Sequence, residues 1–176
     1  MGEPAEETRS ARRVPATEKQ AAALASSVRL RIIRLLHGRE LTNKELAERL
    51  DRDPATVLYH VRRLVAAGFL VAGRPRRGAK NARAIPYRSV ELSCDLELGR
   101  AERERLSESM LAAFLAEVGS AAPATLRQSR LVLELDEDGR EEFLGRLRGL
   151  LHEFADRRPG AGARRYGVYV ALHEDD

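Results

Sequence analysis

Apolar residues recur at three- and four-residue steps through most of this chain. Four short runs break that rhythm and read as strands instead. Thr17 and Gln20 have the spacing of a capping box, so a helix is predicted to start near Glu18 and end near Ser26 and Ser27. Leu30, Ile33 and Leu36, joined by Ile32, form the stripe of a second helix that Gly38 stops. Thr42 and Glu45 repeat the capping box, and the short helix they open buries Leu46, Ala47 and Leu50. Asp51 and Arg52 make a turn. Asp53 then caps a further helix with Pro54 at its first position, which runs to about Ala67 and ends at Gly68. On a helical wheel Val57, Val61, Leu64 and Gly68 fall within about 40° of one line and make the buried seam.

Phe69–Ala72 and Ile85–Val90 read as the strands of a hairpin whose long tip is GRPRRGAKNARA. From Gly99 to about Gly119 a helix carries Leu106, Met110, Leu111, Phe114, Leu115 and Val118. GSAAPATLRQ at 119–128 is a linker. Beyond it, Ser129–Leu135 and Tyr166–His173 read as strands around an amphipathic helix at 139–157, with Phe143, Leu144, Leu147, Leu150, Leu151 and Phe154 inward. Two strands and one helix bury little area alone, so this βαβ unit is expected to pair with a copy of itself or to pack on other helices.

Composition narrows the class. Of 176 residues, 43% are hydrophobic and 33% charged, which suits a core-forming chain rather than a disordered one. No apolar run is long enough to span a bilayer, so no membrane partner is expected. The opening MGEPAEETRSARRVPA has no apolar signal-peptide core, which makes the cytoplasm the expected location. Cys94 is the single cysteine, which excludes an intramolecular disulfide and a multi-thiolate metal site. It reads as a buried thiol, with a redox sensor as the alternative. Charge is segregated: residues 26–90 hold fifteen Arg and Lys against five acids, a net of +10, whereas residues 91–176 carry a net of −6. A polyanionic partner is expected for the first half only.

The outward face of the helix from Pro54 offers Ala55, Tyr59, Arg62 and Ala66, with Arg63 at its edge and Thr56 in its first turn. Arg62 has the donor pair that guanine O6 and N7 accept, and the small first residues allow close approach to a groove. Thr42, Asn43 and Lys44 open the preceding helix beside it. Hydroxyls of Thr42 and Thr56, together with the helix start, suit phosphate. Arg74, Arg76, Arg77, Lys80 and Arg83 crowd the hairpin tip with no acid among them, a loop suited to flanking phosphates or the minor groove. The predicted fold is therefore α+β. It has a disordered tail at 1–15, a winged helix-turn-helix DNA-binding domain at 16–92, a dimerisation or linker helix at 93–120, and a C-terminal α/β unit at 129–176 for dimerisation or effector binding. The plain alternative is a winged-helix interaction module or anti-regulator that does not bind DNA.

The stretches ALASSVRLRIIRLL, LTNKELAERL and DPATVLYHVRRLVAAGFL, followed by the basic hairpin, resemble the ArsR-type winged helix-turn-helix regulators of bacteria. The resemblance covers about residues 20–92. It implies a homodimeric repressor of double-stranded DNA, with an inverted-repeat site and release by an effector. The metal sensors of that family carry a paired-cysteine motif that ELTNKEL lacks, so metal sensing is not implied. Leu58 stands where many members have a small polar residue.

No other chemistry competes. His60 lies about 60° from the buried seam and reads as a packing residue. His37, His152 and His173 are scattered without metal-ligand spacing. DEDGREE at 136–142 lacks the spacing of a calcium loop, and its acids suit a helix start. No phosphate-cradling glycine motif or nucleophile elbow is present. No catalytic residue, metal or cofactor is therefore expected.

Overall fold

The computed structural model describes residues 14–77, 83–90, 96–121 and 126–175. The chain separates into two units, residues 1–121 and 122–176.

In the first unit, β1 (Val14–Pro15) pairs in parallel with β7 (Leu96–Glu97), Val14 opposite Leu96. This corrects the expected tail at 1–15, whose last two residues join a strand pair. Two residues carry no readable periodicity, so the pairing had no local signal. Residues 1–13 lie outside the described residues.

α1 (Glu18–Leu24) starts at the Thr17–Gln20 capping box, with both reciprocal bonds formed. α2 (Ser27–Leu36) buries Ile32 and Leu36 and gives way to Gly38, whose φ of +66° favours glycine. β2 (Leu41–Thr42) leads into α3 (Asn43–Leu50), and Asp51 at its end adopts φ +50°. α4 (Pro54–Ala66) follows, and its end is locked by two bonds. The Phe69 amide donates to the Leu64 carbonyl at 3.0 Å, and the Gly68 amide to Val65 at 3.1 Å. That Schellman closure needs the left-handed backbone Gly68 supplies at φ +82°. Gly68 is exposed, so the fourth seam residue is buried Ala67, which sits one residue earlier on the helix's own path.

β3 (Leu70–Ala72) and β6 (Pro86–Ser89) are antiparallel, with Val71 opposite Arg88, and β2 joins the other edge of β6. The hairpin continues outward as β4 (Arg76–Arg77) and β5 (Arg83–Ala84). The expected strands are each trimmed at their ends, and β2 was not expected because two residues beside a cap give no period. The core gathers Ile32, Leu36, Leu46, Val57, Val61, Leu64 and Phe69, all fully buried. α5 (Arg100–Val118) packs on α1 and α2 and completes the unit.

The face α5 turns inward is unusual. Leu106, Ser109, Ala113 and Glu117 lie toward the unit, and Glu117 accepts from the Arg34 side chain at 2.8 Å. Met110, Leu111 and Leu115 face solvent. The apolar side of this helix is thus largely unused by its own chain.

The second unit holds α6 (Glu137–Ala155), capped by Asp136, whose carboxylate accepts from the Gly139 amide at 2.8 Å. The helix of the expected βαβ pattern forms. The runs at 129–135 and 166–173 join no sheet, and no described residue of 126–175 is buried. Leu150, Leu151 and Phe154, expected inward, are exposed. Two short runs and one helix give too few cross-strand and face contacts to fix a ladder within one chain. No described helix is long and apolar enough to cross a membrane.

Candidate nucleic-acid interface

The first turn of α4 sets its exposed face. The Asp53 carboxylate accepts from the Ala55 and Thr56 amides at 2.9 and 3.0 Å, and Pro54 has no donor to satisfy. Val57, Val61 and Leu64 then turn into the core. Ala55, Tyr59, Arg62, Arg63 and Ala66 are left exposed together, as the wheel predicts, and Thr56 is exposed in the first turn. The Arg63 guanidinium lies over the Tyr59 ring, 5.4 Å from its centroid. The His60 ring meets the same tyrosine edge-on at 5.4 Å. Tyr59 is thus held between a cation and an imidazole, while Arg62 stands exposed beside them.

Asp53 alters the anion site expected at this helix start. Two of the free amides already serve its carboxylate, which repels a phosphate rather than inviting one.

Thr42 and Asn43 act as braces. The Thr42 hydroxyl donates to Glu45 Oε2 at 2.8 Å and accepts from the Glu45 amide at 3.3 Å. Its proton is therefore committed and not available to a phosphate in this arrangement. Asn43 Nδ2 donates to the Pro54 carbonyl at 2.8 Å, tying the start of α3 to the start of α4. Lys44 is exposed, with its ammonium 3.9 Å from Glu48.

In the hairpin, Arg74 is exposed. Arg76 does not stand clear, because its Nη2 lies 3.0 and 3.3 Å from the two Glu45 carboxylate oxygens. Glu45 therefore receives Thr42 and Arg76 at once. The Thr42 backbone and hydroxyl bonds, and then the Arg76 and Arg49 cations, hold its carboxyl below the usual range. This one side chain couples the wing to the helix-turn-helix. Arg77 and Arg83 face each other in the β4–β5 register. Lys80, at 78–82, and Cys94, at 91–95, lie outside the described residues.

The sequence reading missed Arg29. It is 8% exposed, and its Nε and Nη2 donate to the Ala23 and Ala22 carbonyls at 2.6 and 2.7 Å. The last-turn carbonyls of α1 are thereby satisfied by a side chain from α2. A wheel drawn on Ile32 and Leu36 puts Arg29 on their face, which was the available signal. Burial, with the Arg63 cation adding to it, lowers the Arg29 pKa without removing its charge. His60 is pushed below its ordinary range by burial first and then by Arg29, Arg52 and Arg63. Its buried Nδ1 has no hydrogen-bond partner. Among the described residues no three His, Cys, Asp or Glu side chains gather as metal ligands.

Residues 24–71 match the helix-turn-helix domain family. The match takes in α2, α3 and α4 and stops in β3, so it covers the scaffold of this face and not the wing. Solved structures aligned with the chain include an apo double mutant of Lactococcus lactis ZitR, 20% identical over 78% of this chain and 83% of that one, TM-score 0.29. The adhesin competence repressor AdcR of Streptococcus pyogenes is 16% identical over 80% of each chain, TM-score 0.29. The Staphylococcus aureus MepR–DNA complex is 13% identical over 79% of this chain and 81% of that one, TM-score 0.27. Scores of that size fall short of a shared overall fold. Comparison with curated proteins gives no match.

Proposed function

We propose that this protein is a sequence-specific, double-stranded DNA-binding transcriptional regulator of the ArsR type, acting as a homodimeric repressor released by an effector. The observation that carries it is the face of α4. Ala55, Tyr59, Arg62 and Arg63 are exposed together on a helix whose opposite side is fully buried, beside a basic hairpin. Residues 26–90 carry the net +10 that a polyanion requires. The exposed Met110, Leu111 and Leu115 of α5 supply a surface for the twofold partner. In this reading Arg62 and Tyr59 choose bases. Thr56, Arg63, Lys44, Arg74, Arg77, Lys80 and Arg83 hold phosphates, and Thr42, Asn43 and Arg76 position the elements that do so.

Selection of bound duplexes from a random library tests this. An enriched inverted repeat with half-sites about one helical turn apart is expected. Arg62→Ala should cost about 1–3 kcal/mol of discrimination at one base position per half-site. Unchanged preference in that variant would overturn the placement of α4.

A second reading has its own support. Asp53 at the start of α4 and Glu45 on Arg76 both reduce the positive character of this face. They favour a winged-helix interaction module that does not bind DNA, which predicts no enriched duplex.

A further inference from the structure

The second unit lacks the burial that holds the first together. None of its described residues is buried, and the apolar side chains of its two runs stand in solvent. Tyr166 is 80% exposed and Val168 70%, with Leu131 and Val132 similarly open. Exposed apolar side chains in this number mark an interaction site.

Its charges say what covers it. The helix runs from an acidic end to a basic one. Glu134, Asp136, Glu137, Asp138, Glu141 and Glu142 cluster where α6 begins. Glu174, near the end of the second run, shares that end, since Glu137, Glu141 and Glu174 all act on Arg140. At the other end of α6 Arg157, paired with Glu153, and Arg158 flank Asp156, and Arg164 and Arg165 beyond the short PGAGA loop leave that end basic, while Arg140, paired with Glu137, leaves the first end acidic. A 19-residue helix separates the two ends by about 28 Å. That exceeds the screening length of about 8 Å at physiological salt, so the two ends do not attract each other within one copy.

We propose that this unit pairs with the same unit of a second copy, antiparallel about a twofold axis. The acidic end of each then lies on the basic end of the other, and the runs at 129–135 and 166–173 complete a shared sheet. Parallel pairing would set acid on acid and arginine on arginine. The antiparallel arrangement gives two equivalent charge contacts and covers the apolar runs that one chain leaves open. This inference stands apart from the DNA-binding reading and survives its failure.

The test uses the full chain and two variants with reversed charge. One carries Glu141→Arg and Glu174→Arg, the other Arg158→Glu and Arg164→Glu. Amide exchange at 129–135 and 166–173 is followed across a dilution series. In the parent, protection is expected at high concentration and lost on dilution. In each variant alone, exchange is expected to speed up by about tenfold or more, because two reversed charges weaken the attraction at both contacts. Co-refolding the two variants restores protection, because the reversed charges meet each other at one contact and the two unaltered ends meet at the other. Free exchange in the parent at every concentration would overturn the proposal. So would protection that dilution does not change, since the cover would then belong to the same chain. Protection in the parent with no recovery in the mixture would overturn the charge-directed pairing.

Discussion

Asp53→Asn separates what the α4 cap does for folding from what it does to an approaching phosphate. Asp and Asn are equivalent N-caps, so the bonds from the Ala55 and Thr56 amides are kept and melting should be unchanged. The negative charge is lost. Two unit charges about 7 Å apart in water interact by about 0.6 kcal/mol. A dimer presents two such sites, or about 1.2 kcal/mol, so the dissociation constant should fall by about eightfold. Asp53→Ala should tighten binding too, but it gives up the cap at about 1 kcal/mol. For a unit of this size that lowers Tm by roughly 4 °C. Fluorescence anisotropy with the selected duplex and a thermal melt of each variant measure the two effects separately. If Asp53→Asn melts normally and binds no tighter, the start of α4 does not face phosphate.

Leu111→Glu with Leu115→Glu should leave the fold of each chain intact by circular dichroism, since these side chains are 45% and 59% exposed in one chain, yet weaken operator binding by removing the α5 partner surface. Anisotropy that matches the parent would exclude α5 as a dimer contact. His60 makes stability sensitive to pH. Its folded pKa is lowered, so its contribution is present above the unfolded value of about 6.5 and is lost as pH falls through the folded value. Tm should therefore decline as pH falls below about 6.5, and His60→Gln should flatten that decline; parallel curves for the two proteins would refute it. Phe69→Ala should cost about 3–5 kcal/mol in urea denaturation, because the ring is fully buried at the junction of α4 and β3, and a loss below about 1 kcal/mol would contradict that burial. Glu45→Gln should keep the capping box, which Gln20 closes in the same way at α1, but lose the Arg76 ion pair, read as faster amide exchange in β4 with α3 and α4 unaffected.

The helix-turn-helix was legible because its signals are local. Thr17–Gln20, Thr42–Glu45 and Asp53–Pro54 each declare a helix start within four residues, and Gly68 declares an end. The exposed face of α4 followed from its seam alone. What was not legible depends on residues far apart in the chain. No pattern near Arg76 predicts Glu45, 31 positions away, and none near Val14 predicts Leu96. Thr42 read as a free hydroxyl because a capping box names the amide it accepts from and not the carboxylate that takes its proton. The runs at 129–135 and 166–173 have strand composition, but a strand is a relation between two edges, and composition supplies only one.

Arg29 changes what the charge of the first unit means. A duplex gives up condensed counterions for each phosphate a protein cation neutralises, and the entropy of those freed ions drives association. A guanidinium spent on the carbonyls of α1 frees none. Arg76 on Glu45, Arg34 on Glu117 and Lys44 beside Glu48 each hold a carboxylate that must be displaced or carried along. On the proposed DNA-binding reading, the number of counterions released is therefore set by those cations that meet phosphate rather than a carboxylate or carbonyl, and falls well below the formal charge of residues 26–90.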